Sequence, residues 1–149
     1  RREGRAVSVR GAGERMNREV HFKSDAFNTT EQKPTFVNPG CYGDDVCRWM
    51  IEKLAPRGHV KSGTEPIGED FGWAFEFSVD GVSYFFVVGH RPDYPDEPGD
   101  WIAWVERASL LAKLTFRSKQ VSPKAIEVVN EVLSSSPDIR DLRWTPDST

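Results

Sequence analysis

Cysteine, histidine and long apolar runs are all scarce in this 149-residue chain, and each scarcity excludes a class of protein. The two cysteines, Cys41 and Cys47, are too few for a disulfide-dependent scaffold of this size, which points to reduced thiols and a cytoplasmic setting. The three histidines, His21, His59 and His90, lie far apart, and no Cys-x-x-Cys or His-x-x-x-His spacing exists. No zinc or other metal site, and no cofactor, is therefore expected. No apolar run approaches the roughly 18 residues that cross a bilayer. The arginines at the start are not followed by the apolar stretch of a secretory signal. A Gly-x-Ser-x-Gly elbow is missing, and Gly11-Ala12-Gly13 lacks both the third glycine and the preceding strand of a phosphate loop. No catalytic residue can be assigned, and the chain leans away from being an enzyme.

What is present is an ordinary globular composition, with 38% hydrophobic and 29% charged residues. The length fits one domain with a real core and is short for two. The net charge of −3 conceals an asymmetry. Residues Arg1 to Arg15 hold five arginines and two glutamates, or +3, so the remainder carries −3 − 3 = −6. A basic tail, residues 1–18, is expected to be disordered, ahead of a single domain over 19–149. Met16 opens a stretch that looks like a natural start, so the tail is read as an upstream extension or an artificial addition; the alternative is an arm that grips an acidic partner. The acidic body is a poor match for nucleic acid or an anionic membrane.

The clearest element is Glu69 to His90. Trp73, Phe75, Phe77 and Val79 alternate with Ala74, Glu76 and Ser78, the period of a half-buried strand. Asp80-Gly81 suits a two-residue hairpin turn. The return strand, Tyr84 to Val88, is apolar on both faces and should lie mid-sheet. Val20 to Lys23 reads as a short edge strand, Thr35 to Val37 and His59 to Ser62 as further strands, and Gly63 to Gly68 as a loop. A helix is expected from about Asp44. Gly43-Asp44-Asp45 would supply its cap and a favourable charge, and Val46, Cys47, Met50, Ile51 and Leu54 its buried stripe. Cys47 is read as a core thiol. Trp101 to Glu106 reads as a strand. Ala108 to Phe116 fits strand or helix periodicity, and its Ala, Leu, Lys and Arg favour the helix. Ser122-Pro123 opens a last helix, with Ala125, Ile126, Val129, Val132 and Leu133 inward. Ile139 to Trp144 closes the chain as a strand. The fold class is α+β: a single domain, mostly antiparallel sheet, with amphipathic helices packed on one face and a more polar opposite face bearing Glu76 and Ser78.

Two groupings carry the chemistry. Glu69 and Asp70 stand at the mouth of the hairpin, and His90 leaves its far strand at the same open end. With Trp73 as a stacking surface and Arg91 as an anion contact, these five residues form the candidate ligand or partner site. The plainer reading makes Glu69 and Asp70 exposed loop acids and His90 a surface residue. Asp93, Asp96, Glu97 and Asp100 make an acidic, proline-rich loop whose spacing is not that of a calcium loop. Trp101 and Trp104 differ by an odd offset and must point to opposite sides of a strand, so one of them is a candidate contact residue.

Phe36-Val37-Asn38-Pro39, Gly43-Asp44-Asp45 before a helix, and Glu69-Asp70-Phe71-Gly72-Trp73, with the closing Ile139 to Trp144, resemble a pattern in small uncharacterised bacterial proteins. Those proteins often carry Trp where this chain has Phe71. The resemblance implies a bacterial cytosolic protein and brings no catalytic residue. The expected function is a non-enzymatic interaction domain of adaptor, chaperone-like or immunity type, with an acidic surface that meets a basic protein partner. The alternative is a small enzyme or ligand-binding domain centred on Glu69, Asp70, Trp73 and His90.

Overall fold

The computed structural model describes residues 17–36, 38–91, 100–108 and 121–146. The expectations for the tail up to Met16, for the acidic loop at Asp93, Asp96 and Glu97, and for the stretch from Ser109 to Phe116 lie outside these residues. In order, the elements are β1 (Asn17–Lys23), α1 (Asp44–Leu54) with a short 3-10 turn (Ala55–Arg57), β2 (Ile67–Gly68), β3 (Trp73–Val79), β4 (Val82–His90), β5 (Asp100–Arg107), α2 (Pro123–Ser134) and β6 (Arg140–Pro146).

The six strands form one antiparallel sheet in the order β2-β3-β4-β5-β1-β6. The β3–β4 hairpin closes on Asp80 and Gly81, both with positive φ (53° and 80°), as a two-residue turn whose twist matches the strands. Its register pairs Phe75 with Phe86 and Phe77 with Tyr84, so the alternating aromatics of both strands face one side. Phe22, Trp101, Ala103 and Val105 join them on that side. Both helices cover it. α1 lies against β3 and β4, α2 against β3, and the helices touch each other.

The helices take their places for the expected reasons, with one change. In α2 the Ser122 hydroxyl accepts the Ala125 N–H at 3.2 Å, and Ala125, Ile126, Val129, Val132 and Leu133 are buried, as is Val128. In α1 Val46, Cys47, Met50 and Leu54 are buried, whereas Ile51 is only partly covered. The change concerns the start of α1. Its cap is Gly43, with no side-chain capping bond. The neighbouring acids bind elsewhere: buried Asp44 pairs with Lys33 at 3.1 Å, and Asp45 accepts the Asn28 N–H at 2.8 Å. They lie in the first turn, where their charge suits the helix as expected, and also anchor the long β1–α1 connection. At the other end Arg57 pairs with Glu131 of α2.

Cys47 is fully buried, and burial pushes its thiol well above the ordinary cysteine range, with Asp44 and Asp45 adding to the effect. It and Cys41 are both free.

Three local expectations give way to long-range packing. β1 is not an edge strand; it sits between β5 and β6, pairing Glu19 with Trp104 on one side and with Thr145 on the other. It begins at Asn17, so Asn17 and Arg18 belong to the sheet rather than to a tail. Pro34-Thr35 forms a turn, and Phe36 serves as a ring packed on Tyr42 and Trp73 (centroids 5.7 and 5.5 Å apart) rather than as part of a strand. His59 to Ser62 is not a strand either. The His59 carbonyl accepts the Ser78 N–H at 2.8 Å, and its Nδ1 lies 2.9 Å from the Ser78 carbonyl, so one residue covers the β3 edge where β2 stops short.

Candidate functional site

β3 and β4 are apolar on alternate residues on the helix side, but β4 and β5 also carry apolar residues on the other side. Register places Ile67, Ala74, Val87 and Trp104 in one row across that second face, with Glu76, Phe85 and Glu106 in the next. The expectation of a more polar second face bearing Glu76 and Ser78 holds towards the hairpin turn, where Ser78 pairs with Ser83, and along β1 and β6, where Glu19 and His21 pair with Thr145 and Arg143. Towards the open end of the hairpin the face is apolar. Its residues form a depression of about 580 Å³, floored by Ala74, Phe85 and Val87 and walled by Ile67, Phe71 and Trp104. Glu69, Asp70 and Glu106 also line it.

Phe71 reaches this face because the segment before β3 folds back on itself. The Glu69 N–H donates to the Gly72 carbonyl at 2.8 Å, closing a tight turn that turns both carboxylates outward. Two glycines permit the crossing. A Cβ on Gly72 would stand 2.2 Å from the Val88 carbonyl oxygen, and one on Gly89 would stand 2.6 Å from the Phe71 ring. The ring thus lies directly over the bare backbone of Gly89 and meets Trp104, with centroids 4.6 Å apart and planes at 60°. The Trp104 indole N–H donates to Glu106 Oε1 at 2.8 Å, which fixes that carboxylate at the rim.

The turn is braced from behind. Asn38 donates its side-chain amide to the Glu69 carbonyl (3.1 Å), the Cys41 thiol lies 3.5 Å from the Asp70 carbonyl, and the Trp73 indole N–H donates to the Cys41 carbonyl (2.8 Å). A Cβ on Gly43 would come within 3.1 Å of the Val88 carbonyl oxygen and 3.5 Å of Trp73. Phe36, Asn38, Gly43, Glu69, Phe71, Gly72 and Trp73 carry the sequence pattern noted above, and they meet here as one packed unit. Local spacing gave no sign that Asn38 and Glu69, 31 residues apart, would bond.

The five residues singled out in the sequence are divided by the sheet. Glu69 and Asp70 are exposed and face the depression. Trp73 is 7% exposed and belongs to the core, so it offers no stacking surface. His90 pairs with Trp101 on the helix side, where its ring lies 5.1 Å from Trp101 and 6.4 Å from Tyr42. Burial lowers its basicity below the ordinary histidine value, and the Asp100 charge opposes the shift in part. The structure therefore does not bring His90 together with Glu69 and Asp70. Arg91 is half-buried, and its N–H donates to the Asp100 carbonyl at 2.9 Å.

The odd offset between Trp101 and Trp104 resolves as geometry requires. Trp101 is fully buried among Phe22, Phe27 and His90, and Trp104 stands half-buried on the opposite face. Sequence reasoning passed over Ile67, Phe85 and Glu106. The available signal was the two-sided apolar character of β4, which requires something to lie against each side. Among the described residues no three His, Cys, Asp or Glu side chains gather in a way that could hold a metal ion, and no helix is long and apolar enough to cross a membrane. Comparison with protein-family models, curated proteins and solved structures gives no significant match.

Proposed function

We propose that this protein is a non-enzymatic interaction domain, of adaptor, chaperone-like or immunity type, which takes a basic protein partner on the face of its sheet opposite α1 and α2. The observation that supports the reading is the acid-rimmed aromatic depression: Phe71, Phe85 and Trp104 with Glu69, Asp70 and Glu106 around them. Half-buried aromatic surface favours protein contact, because large rigid rings contribute much apolar burial at little entropic cost. Carboxylates at the rim select positive partners and repel nucleic acid or an anionic membrane. The body's surplus of six negative charges adds long-range attraction of the same sign. A cytoplasmic location belongs to this reading and is supported by two free thiols.

The test is a pair of amide NMR titrations of the full chain, one with a pool of short Lys/Arg-rich peptides and one with an Asp/Glu-rich pool. The basic pool should shift Ile67, Phe71, Phe85 and Glu106. The shifts should shrink as salt rises from about 0.05 to 0.5 M, where the Debye length falls below the size of the rim. Glu69→Lys with Asp70→Lys should abolish most of the response. Equal binding of the acidic pool, or shifts confined to the helix side, would refute the reading.

A further inference from the structure

The outer edge of β3 carries a feature separate from the aromatic depression. We infer that a missing rung in the ladder at Glu76 is a receptor for a primary carboxamide, the head group of an asparagine or glutamine side chain.

The missing rung follows from strand geometry. Val79 and Val82 close the two-residue hairpin as a hydrogen-bonded pair, so Ala74, Glu76 and Ser78 turn their main-chain N–H and C=O away from β4. Towards the open end those outward groups are used. The Glu69 N–H donates to the Gly72 carbonyl, and Ala74 pairs with Ile67 of β2. The next rung in this register would join Glu76 to Glu65, but β2 begins only at Ile67. Pairing resumes at Ser78, whose N–H donates to the His59 carbonyl at 2.8 Å and whose carbonyl lies 2.9 Å from His59 Nδ1. Between the two, no hydrogen bond among the described residues reaches the Glu76 N–H or carbonyl.

A hollow of about 40 Å³ lies at this gap, lined by Glu76, Ser78, His59, Lys61, Thr64 and Ser83. At about 10–15 Å³ for each water-sized position, it has room for roughly three heavy atoms. It is too small for an extended residue, and its outer wall is a closed turn, in which the Thr64 N–H and hydroxyl both donate to the Lys61 carbonyl (3.2 and 2.8 Å). The Ser78 carbonyl can only accept, so His59 Nδ1 carries a proton and, in the neutral ring, Nε2 is left as an acceptor. One lysine and one glutamate line the hollow, and their formal charges cancel, which suits a neutral occupant.

One strand residue presents a donor and an acceptor side by side, and its complement is an acceptor and a donor on one side of a small group. A primary carboxamide has this form, because its oxygen and the N–H syn to it point the same way. A trans peptide unit points them in opposite directions. A carboxylate only accepts and would face the Glu76 carbonyl, and an ammonium only donates and would face the Glu76 N–H. The same property lets asparagine side chains imitate main-chain turns.

The experiment uses the full chain. Amide hydrogen exchange tests the gap first: the Glu76 N–H should exchange at least about tenfold faster than that of Ser78, which is bonded. Three blocked peptides, acetyl-Gly-X-Gly-methylamide with X as glutamine, glutamate or N,N-dimethylglutamine, are then titrated and followed by amide NMR, with propionamide as a fourth ligand. The glutamine peptide should shift the Lys61, Glu76 and Ser78 amides. The glutamate and dimethylated peptides, each lacking the N–H donor, should bind about fivefold more weakly. A glutamine peptide that binds more tightly than propionamide assigns the site to a partner's side chain, and equal binding assigns it to a small free amide; both support a carboxamide receptor. Glu76→Pro removes an N–H that donates nothing to β4, so the fold should persist and glutamine binding should fall about fivefold. Glu52→Gln on α1 should leave binding unchanged. Should Glu76→Pro fail to give a native spectrum, the exchange rates and the ligand series decide. The inference falls if Glu76 and Ser78 are equally protected, if the glutamate or dimethylated peptide matches glutamine, if no ligand shifts these amides and the gap holds water only, or if natively folded Glu76→Pro binds unchanged. The basic-pool titration concerns a different surface, and its result stands separately.

Discussion

Phe85 and Phe86 are neighbours in the chain and belong to different surfaces. Phe86 is fully buried, paired in register with Phe75 and packed ring to ring with it at 5.5 Å beneath the helices. Phe85 is half-buried on the face opposite α1 and α2, in the floor of the depression. The same residue type thus does two jobs, set only by the parity of its position on β4. The helix side uses aromatics to fill a closed core. The other side keeps a smaller, half-buried set with carboxylates around it. A strand apolar on both faces states that two surfaces must be covered, and among the described residues the two helices cover one of them.

The comparison is sharpest if the two phenylalanines are truncated in turn. Phe86→Ala should destabilise the fold by about 3–5 kcal/mol, the usual cost of emptying a core aromatic site. Phe85→Ala should cost about 1 kcal/mol, because much of its surface already meets solvent. Urea unfolding of both variants gives the numbers; equal losses would mean that the face opposite α1 and α2 is as much a core as the other. Next in size is Gly72→Ala. Its methyl would collide with the Val88 carbonyl, which is backbone and cannot swing aside, so we expect a loss of about 3 kcal/mol together with displacement of Phe71 from Trp104. A native-like Phe71–Trp104 contact in that variant, seen as an unchanged indole resonance, would break the claim that the glycine seats the ring.

A smaller, pH-dependent effect separates the faces again. His90 lies on the helix side with its basicity lowered by burial. The unfolded chain then binds a proton that the folded chain resists, so its contribution is favourable at neutral pH and is lost as pH falls below about 6.5 towards the lowered folded value. Unfolding measured at pH 7.5 and 5.5 should show a smaller pH dependence in His90→Gln than in the parent. A parent slope of the opposite sign, or none attributable to His90, would contradict its placement. The smallest effect is expected at the exposed Arg48–Glu65 pair, 2.9 Å apart. Glu65→Gln should change stability by less than about 0.5 kcal/mol, since solvent screens such pairs.

Much of the fold was legible because its signals are local. The β3–β4 hairpin, both described helices with their buried stripes, the Ser122 cap and the opposite orientations of Trp101 and Trp104 all follow from periods of 2 and 3.6 and from turn chemistry within a few residues. The site was only half legible. Glu69 and Asp70 were chosen from their adjacency to the hairpin and do line the depression. His90 was chosen because it lies at the same end of the hairpin. That argument fixed position along the strands but not side, and the register puts His90 with Trp101 on the helix side. Trp73 reads as core from its place in the β3 alternation, and it is core, with the Cys41 carbonyl and Phe36 against it.

By itself, then, the sequence determined which residues could share a face, where the chain must turn, and that β4 needed covering on both sides. Each of these depends on contacts between near neighbours, whose geometry the backbone fixes. Only the tertiary structure decided that β1 slots between β5 and β6, that Asn38 and Cys41 brace a turn some 30 residues away, and that Phe71 crosses Gly89 to complete an acid-rimmed aromatic hollow with Trp104. Those contacts join distant segments. Their selection rests on which whole-chain arrangement buries the most apolar surface without orphaning backbone polar groups, a quantity that no local window of sequence contains.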